Sequence, residues 1–119
     1  MRAWIEHLRF AAGWSMAGLR VLFMTEAAAR MELVAALAGS AWLLWLGRSW
    51  IEIGGFVLLC LVTLAAEALN TAIEAIVDEI SPQRSAFAGR AKDLGSAAVF
   101  LMVTACGLYL IAMTVLAWS

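Results

Sequence analysis

Glu67, Asn70, Glu74 and Asp78 are the residues of this chain best placed to do chemistry, because they continue the apolar run Gly54 to Ala66 without a break. At 100° per residue they fall within an arc of about 80° along roughly 16 Å of helix, one polar stripe on an apolar rod. A carboxylate at membrane depth costs a few kcal/mol or more, and such residues face a bundle interior and serve a purpose. Two carboxylates together with phosphate oxygens and water suit Mg²⁺. Glu67 lies deepest and is the most easily desolvated, the property wanted in a general base. Taken alone, the stripe describes an acid-lined, cation-binding site at a membrane interface.

The elements that must position it follow from composition and charge. The chain has 119 residues, is 65% hydrophobic and holds one proline, which makes it too apolar for a water-soluble domain of its size. We therefore expect an all-α integral membrane protein, one domain over residues 1–119. A net charge of −1 and the lack of any basic block argue against nucleic acid as a partner. The first residues carry Arg2, Glu6 and Arg9 and no continuous apolar segment with a cleavage site, so no cleaved signal peptide is expected. Cys60 and Cys106 lie inside apolar runs and read as small buried hydrophobes.

Residues 2–25 form an amphipathic helix on the membrane surface, with Arg2, Glu6, Arg9, Gly13 and Arg20 on one side and Trp4, Leu8, Ala12, Ser15 and Leu22 on the other. His7 projects to the apolar side beside Trp14, where a packing role is the simpler reading. Transmembrane spans are expected over about 28–47, 51–78 and 95–118. Trp42, Trp45 and Trp50 flank a short loop at the far interface, and Ser81-Pro82 closes the second span. Arg2, Arg9, Arg20 and Arg30 lie before or at the start of the first span and Arg84, Arg90 and Lys92 follow the second, leaving only Arg48 between them. By the positive-inside rule the N-terminus and the 78–95 loop are cytoplasmic. This orientation brings Glu26, Glu32, Glu74, Asp78, Lys92 and Asp93 to one interface. Glu26 and Arg30 stand at i, i+4, as an ordinary surface ion pair would.

Gly13 to Gly18 has phosphate-loop spacing, but Leu19-Arg20 stands where Lys-Ser or Lys-Thr is required, so the spacing carries nothing. Other segments are more specific. These are Ala11-Ala12-Gly13-Trp14-Ser15 with Gly18-Leu19-Arg20, Glu26-Ala27-Ala28, the run Glu67 to Asp78, and Gly89-Arg90-Ala91-Lys92-Asp93 with Gly95-Ser96-Ala97-Ala98. In order and spacing they resemble the prokaryotic diacylglycerol kinase family over about residues 7–119.

The resemblance implies a homotrimer of three spans plus a surface helix per subunit, in the bacterial cytoplasmic (inner) membrane. It would transfer the γ-phosphate of ATP to the hydroxyl of diacylglycerol at sites shared between subunits. By position, Glu67 matches the general base and Asn70 its support. Glu26 and Glu74 match the Mg²⁺ ligands, and Lys92 and Asp93 match nucleotide contacts. Ser15, Arg20, Glu32 and Ser96 match residues at or supporting the lipid site. Trp14 stands where the family has a tyrosine near the nucleotide. His7 stands where it has an arginine, and Arg9 lies about 200° round the helix from that position. Two other readings stay open at this point: a related undecaprenol kinase, and a non-enzymatic membrane oligomer whose acidic stripe binds cations.

Overall fold

The computed structural model describes residues 1–119 as four helices. They are α1 (Arg2–Thr25), α2 (Ala27–Trp45), α3 (Trp50–Ile80) and α4 (Ala86–Ala117). The last three are long and apolar enough to cross a membrane. α1 touches α2 and α3 but leaves the bundle, so the molecule is long in two directions and thin in the third, 52 × 47 × 22 Å. Only Leu22 of α1 is buried, while Trp4, Leu8, Phe10 and Trp14 are exposed, as expected of a helix whose apolar side rests on lipid.

α3 and α4 pack along a seam with a 3.5-residue repeat. On α3 it runs through Ile53, Phe56, Cys60, Thr63, Glu67, Asn70, Glu74 and Val77, and on α4 through Ala88, Lys92, Gly95, Val99, Met102, Cys106, Tyr109 and Met113, all buried or half-buried. Alternating steps of three and four keep one narrow face of each helix against the other. The polar stripe is thus one half of a seam whose other half is apolar. Antiparallel register is fixed by contacts along its length. Asp78 meets Lys92, Thr63 Oγ1 lies 3.2 Å from Cys106 Sγ, and Phe56 stacks on Tyr109 with centroids 6.4 Å apart. Tyr109 O–H donates to the Glu52 carbonyl at 2.6 Å. Both cysteines are free thiols within this packing.

α2 closes the apolar half. Leu43 is fully enclosed, and Gly39 gives way to the Phe56 ring, which occupies the space a side chain there would need. Trp42 Nε1–H donates to Thr114 Oγ1 at 2.9 Å, and Trp42 packs on Trp45 and Trp118. The three tryptophans therefore share the end of the bundle opposite Glu26, Asp78 and Lys92. The turn at that end is a Schellman motif: Gly47 has φ +73°, its N–H donates to the Leu44 carbonyl, and Arg48 N–H donates to the Leu43 carbonyl. Ser49 then caps α3, accepting from Glu52 N–H while its hydroxyl donates to the Glu52 carboxylate.

The charged segment expected to be a loop over 78–95 is mostly helix. Non-helical residues are confined to Ser81–Ser85, and Ser85 Oγ accepts from Ala88 N–H at 3.1 Å to start α4. No proline or positive-φ glycine follows, and the charged turns of α4 need no apolar face outside the bilayer, so the helix runs on into the span. The expected Glu26–Arg30 pair is also absent. Arg30 Nη1 instead donates to the Phe23 and Met24 carbonyls at 2.7 and 3.3 Å, capping the C-terminus of α1.

Candidate active site

Glu26 is the single extended residue between α1 and α2, with φ −104° and ψ 111°. The chain bends there, and with Arg30 engaged in capping α1, Glu26 is left without a cationic partner. The half-buried Glu26 and Glu74 both bear electrostatically on Glu67, and Glu67 bears on the half-buried Glu32. Glu67 is only 5% exposed and Asn70 9%. Asn70 Nδ2 approaches Glu74 Oε1 at 3.5 Å, the outer limit of a hydrogen bond. Glu26, Glu32 and Glu74 are thus the three carboxylates that couple to a fourth, the buried Glu67, with no cation among them.

Three buried polar atoms in this layer lack a hydrogen-bond partner: Glu32 Oε2, Asn70 Oδ1 and Thr71 Oγ1. A buried polar atom left without a partner costs about 1–3 kcal/mol, so three together mark a site rather than a core. Thr71 was not among the residues singled out from the sequence. The helical threonines Thr25, Thr63, Thr104 and Thr114 each donate to the carbonyl four residues back, and Thr71 does not. Its position one turn beyond Glu67, on the edge of the stripe, was readable from the helical wheel.

Lys92 Nζ donates to Asp78 Oδ1, which ties α4 to α3 beyond Glu74. Asp78, the last residue of the stripe, is thereby paired while its side chain stays largely exposed. With Asp93, Ser81, Arg84 and Ser85 the pair lines an open crevice at the polar end of the bundle. Glu32 also lines a second, largely apolar cavity with Phe56, Cys60, Thr63 and Cys106.

The remaining sequence-derived residues lie elsewhere in the chain. His7, Trp14, Ser15 and Arg20 are exposed on α1, with His7 about 28 Å along the helix from Glu26, and Ser96 is exposed on α4. A single chain therefore assembles Glu26, Glu32, Glu67, Asn70 and Glu74 in one layer, places Lys92 and Asp93 beside it, and holds the α1 residues apart.

No three His, Cys, Asp or Glu side chains converge on one point. Mg²⁺ does not require that, since it keeps several waters and binds one or two carboxylates plus substrate phosphates. Two hard oxygen donors, half-buried and without a cationic partner, fit such an ion.

These features define a multi-pass membrane protein that carries a group of carboxylates around the buried Glu67. Residues 13–116 match the family described as prokaryotic diacylglycerol kinase. A diacylglycerol kinase of Sinorhizobium is 41% identical over 88% of this chain and 76% of its own length. That of Escherichia coli K12 is 38% identical over 92% and 87%, and that of Pseudomonas aeruginosa 41% over 84% and 81%. The chain belongs to the prokaryotic diacylglycerol kinase family.

Proposed function

We infer that the carboxylate layer is where this kinase transfers the γ-phosphate of ATP to the hydroxyl of diacylglycerol, giving phosphatidic acid. The observation that carries the reading is the burial of Glu67 among three other carboxylates, beside polar atoms that nothing in the chain satisfies. That arrangement is costly for a structural helix and suited to a site that receives a proton and a cation.

Glu67 accepts the proton of the lipid hydroxyl as its oxygen attacks the γ-phosphorus in line, and the bond from that phosphorus to the β–γ bridging oxygen breaks. Asn70 holds the Glu74 carboxylate. Glu26 and Glu74 would hold Mg²⁺, which when bound supplies neutralisation of phosphate charge. Lys92 neutralises phosphate charge from the α4 side, and Asp93 accepts from the nucleotide's sugar or base. Glu32 belongs to the carboxylate layer and also lines the apolar cavity, which supports a place for it at the lipid.

His7, Trp14 and Ser15 lie about 16–28 Å along α1 from Glu26, too far to join Glu67 of their own chain. Their roles at nucleotide and lipid require a neighbouring subunit, which supports a homotrimer with shared sites. The charge distribution supports an inner-membrane protein with the N-terminus and the α3–α4 turn in the cytoplasm, where ATP is available. A diacylglycerol hydroxyl at headgroup depth meets it there.

The test is phosphatidic acid formation by the purified protein in micelles with ATP and Mg²⁺, with diacylglycerol and undecaprenol compared side by side. Preferential phosphorylation of diacylglycerol supports the reading. Preference for undecaprenol would reassign the lipid, and no lipid-dependent ATP consumption by the folded protein would return it to a cation-binding oligomer.

A further inference from the structure

Asn70 is held from the α4 side by Gly95. Gly95 is buried in the seam, three residues beyond Lys92, and a methyl group added to it would land on Asn70 Oδ1, 3.4 Å from Asn70 Cγ and 3.6 Å from Ile73 Cδ1. Real Cβ atoms do not approach oxygen so closely, so the Asn70 amide fits only because position 95 has no side chain. Ile73 Cδ1 would be at ordinary contact distance, so Asn70 is the neighbour that would have to move. Asn70 is 9% exposed, and turning its amide away from Gly95 would take Nδ2 from Glu74 Oε1. The other helical glycines of α4, Gly89 and Gly107, meet nothing within 4 Å at the same construction. Gly95 is thus distinguished by its contact rather than by any need for backbone freedom.

We propose that Gly95 is a positioning residue of the kinase site: its bare Cα forms the slot that sets the Asn70 amide against the Glu74 carboxylate. The seam explains how it does so. Lys92 and Gly95 stand on one face of α4, and the Lys92–Asp78 pair fixes the register of that face on α3. The inference rests on the role given above to Asn70.

Asn70 is the only asparagine in the chain. Protein labelled with ¹⁵N-asparagine therefore reports one side-chain amide pair without further assignment. The experiment compares wild type, G95A, G107A and N70A in micelles, reading that resonance pair together with kcat and the KM values for ATP and diacylglycerol. In G95A the Asn70 side-chain resonances should move and kcat fall about 100-fold, the scale expected for a catalytic group displaced by about 1 Å. Both KM values should stay within about twofold of wild type. G107A should leave resonances and kcat at wild-type values. G95A/N70A should be no slower than N70A, because a residue acting through Asn70 has nothing left to position. Unchanged Asn70 resonances in G95A, or a double variant well below N70A, would overturn the inference. Should G95A fail to fold, the same double variant, in which the overlapping amide is gone, still decides it. Full activity in N70A would instead remove the role of Asn70 itself, a result distinct from either.

Discussion

Lys92 on α4 reaches across to Asp78 on α3, and its ammonium donates to Asp78 Oδ1. The side chains are 40% and 64% exposed, so the pair contributes no more than about 1 kcal/mol to stability. Its importance is geometric, since it places a cation beside Asp93 in the crevice at the polar end of the bundle. Removing the charge in K92A should raise the KM for ATP about tenfold, as expected for a charge-assisted contact worth roughly 1.5–3 kcal/mol. D78N should raise it less and leave thermal stability nearly unchanged. Steady-state kinetics at varied ATP check both, and an unchanged KM in K92A would take Lys92 out of nucleotide binding.

The division of labour among the carboxylates is tested by Mg²⁺ titration. E26Q and E74Q should each raise the half-saturating Mg²⁺ concentration by about tenfold, because each removes one of two hard oxygen donors. E67Q binds the ion no more weakly in this scheme, so any residual turnover should keep the wild-type Mg²⁺ dependence. Chelation with EDTA should stop turnover in every variant and be reversed by added Mg²⁺.

Burying Glu67 beside other carboxylates costs stability that only function explains. E67Q should therefore be more stable than wild type, by on the order of 1 kcal/mol, while losing activity. Thermal unfolding in micelles measures it, and a destabilised E67Q would argue that the carboxylate is a structural partner.

At the opposite end of the bundle, Y109F deletes the hydrogen bond from Tyr109 to the Glu52 carbonyl. A loss of about 1 kcal/mol with turnover unchanged is expected. Unfolding and kinetics on the same preparation separate this packing role from any effect on the site.

The helical stripe was legible because the periodicity of a helix survives any environment, and because four polar residues on an apolar rod admit few explanations. The seam was not. Its 3.5-residue repeat is written partly in Gly95, Ala88 and Thr63, which carry little hydropathy signal of their own. Arg30 was misread for a related reason. Spacing makes it a partner for Glu26, but the bend at Glu26 frees carbonyls at the end of α1 that a guanidinium satisfies better. The pairing of Asp78 with Lys92 was not legible because the partner lies on another helix, a relationship no local spacing encodes. The start of α4 was misplaced because hydropathy marks where a helix enters lipid rather than where it begins.

Glu67 as general base is the central claim, and the rate of phosphatidic acid formation by E67Q, measured together with its ATP affinity, tests it most directly. The account predicts a fall of about 10²–10⁴-fold in turnover, the range supplied by a positioned base, with ATP binding retained. Near wild-type turnover in a folded E67Q protein would contradict it.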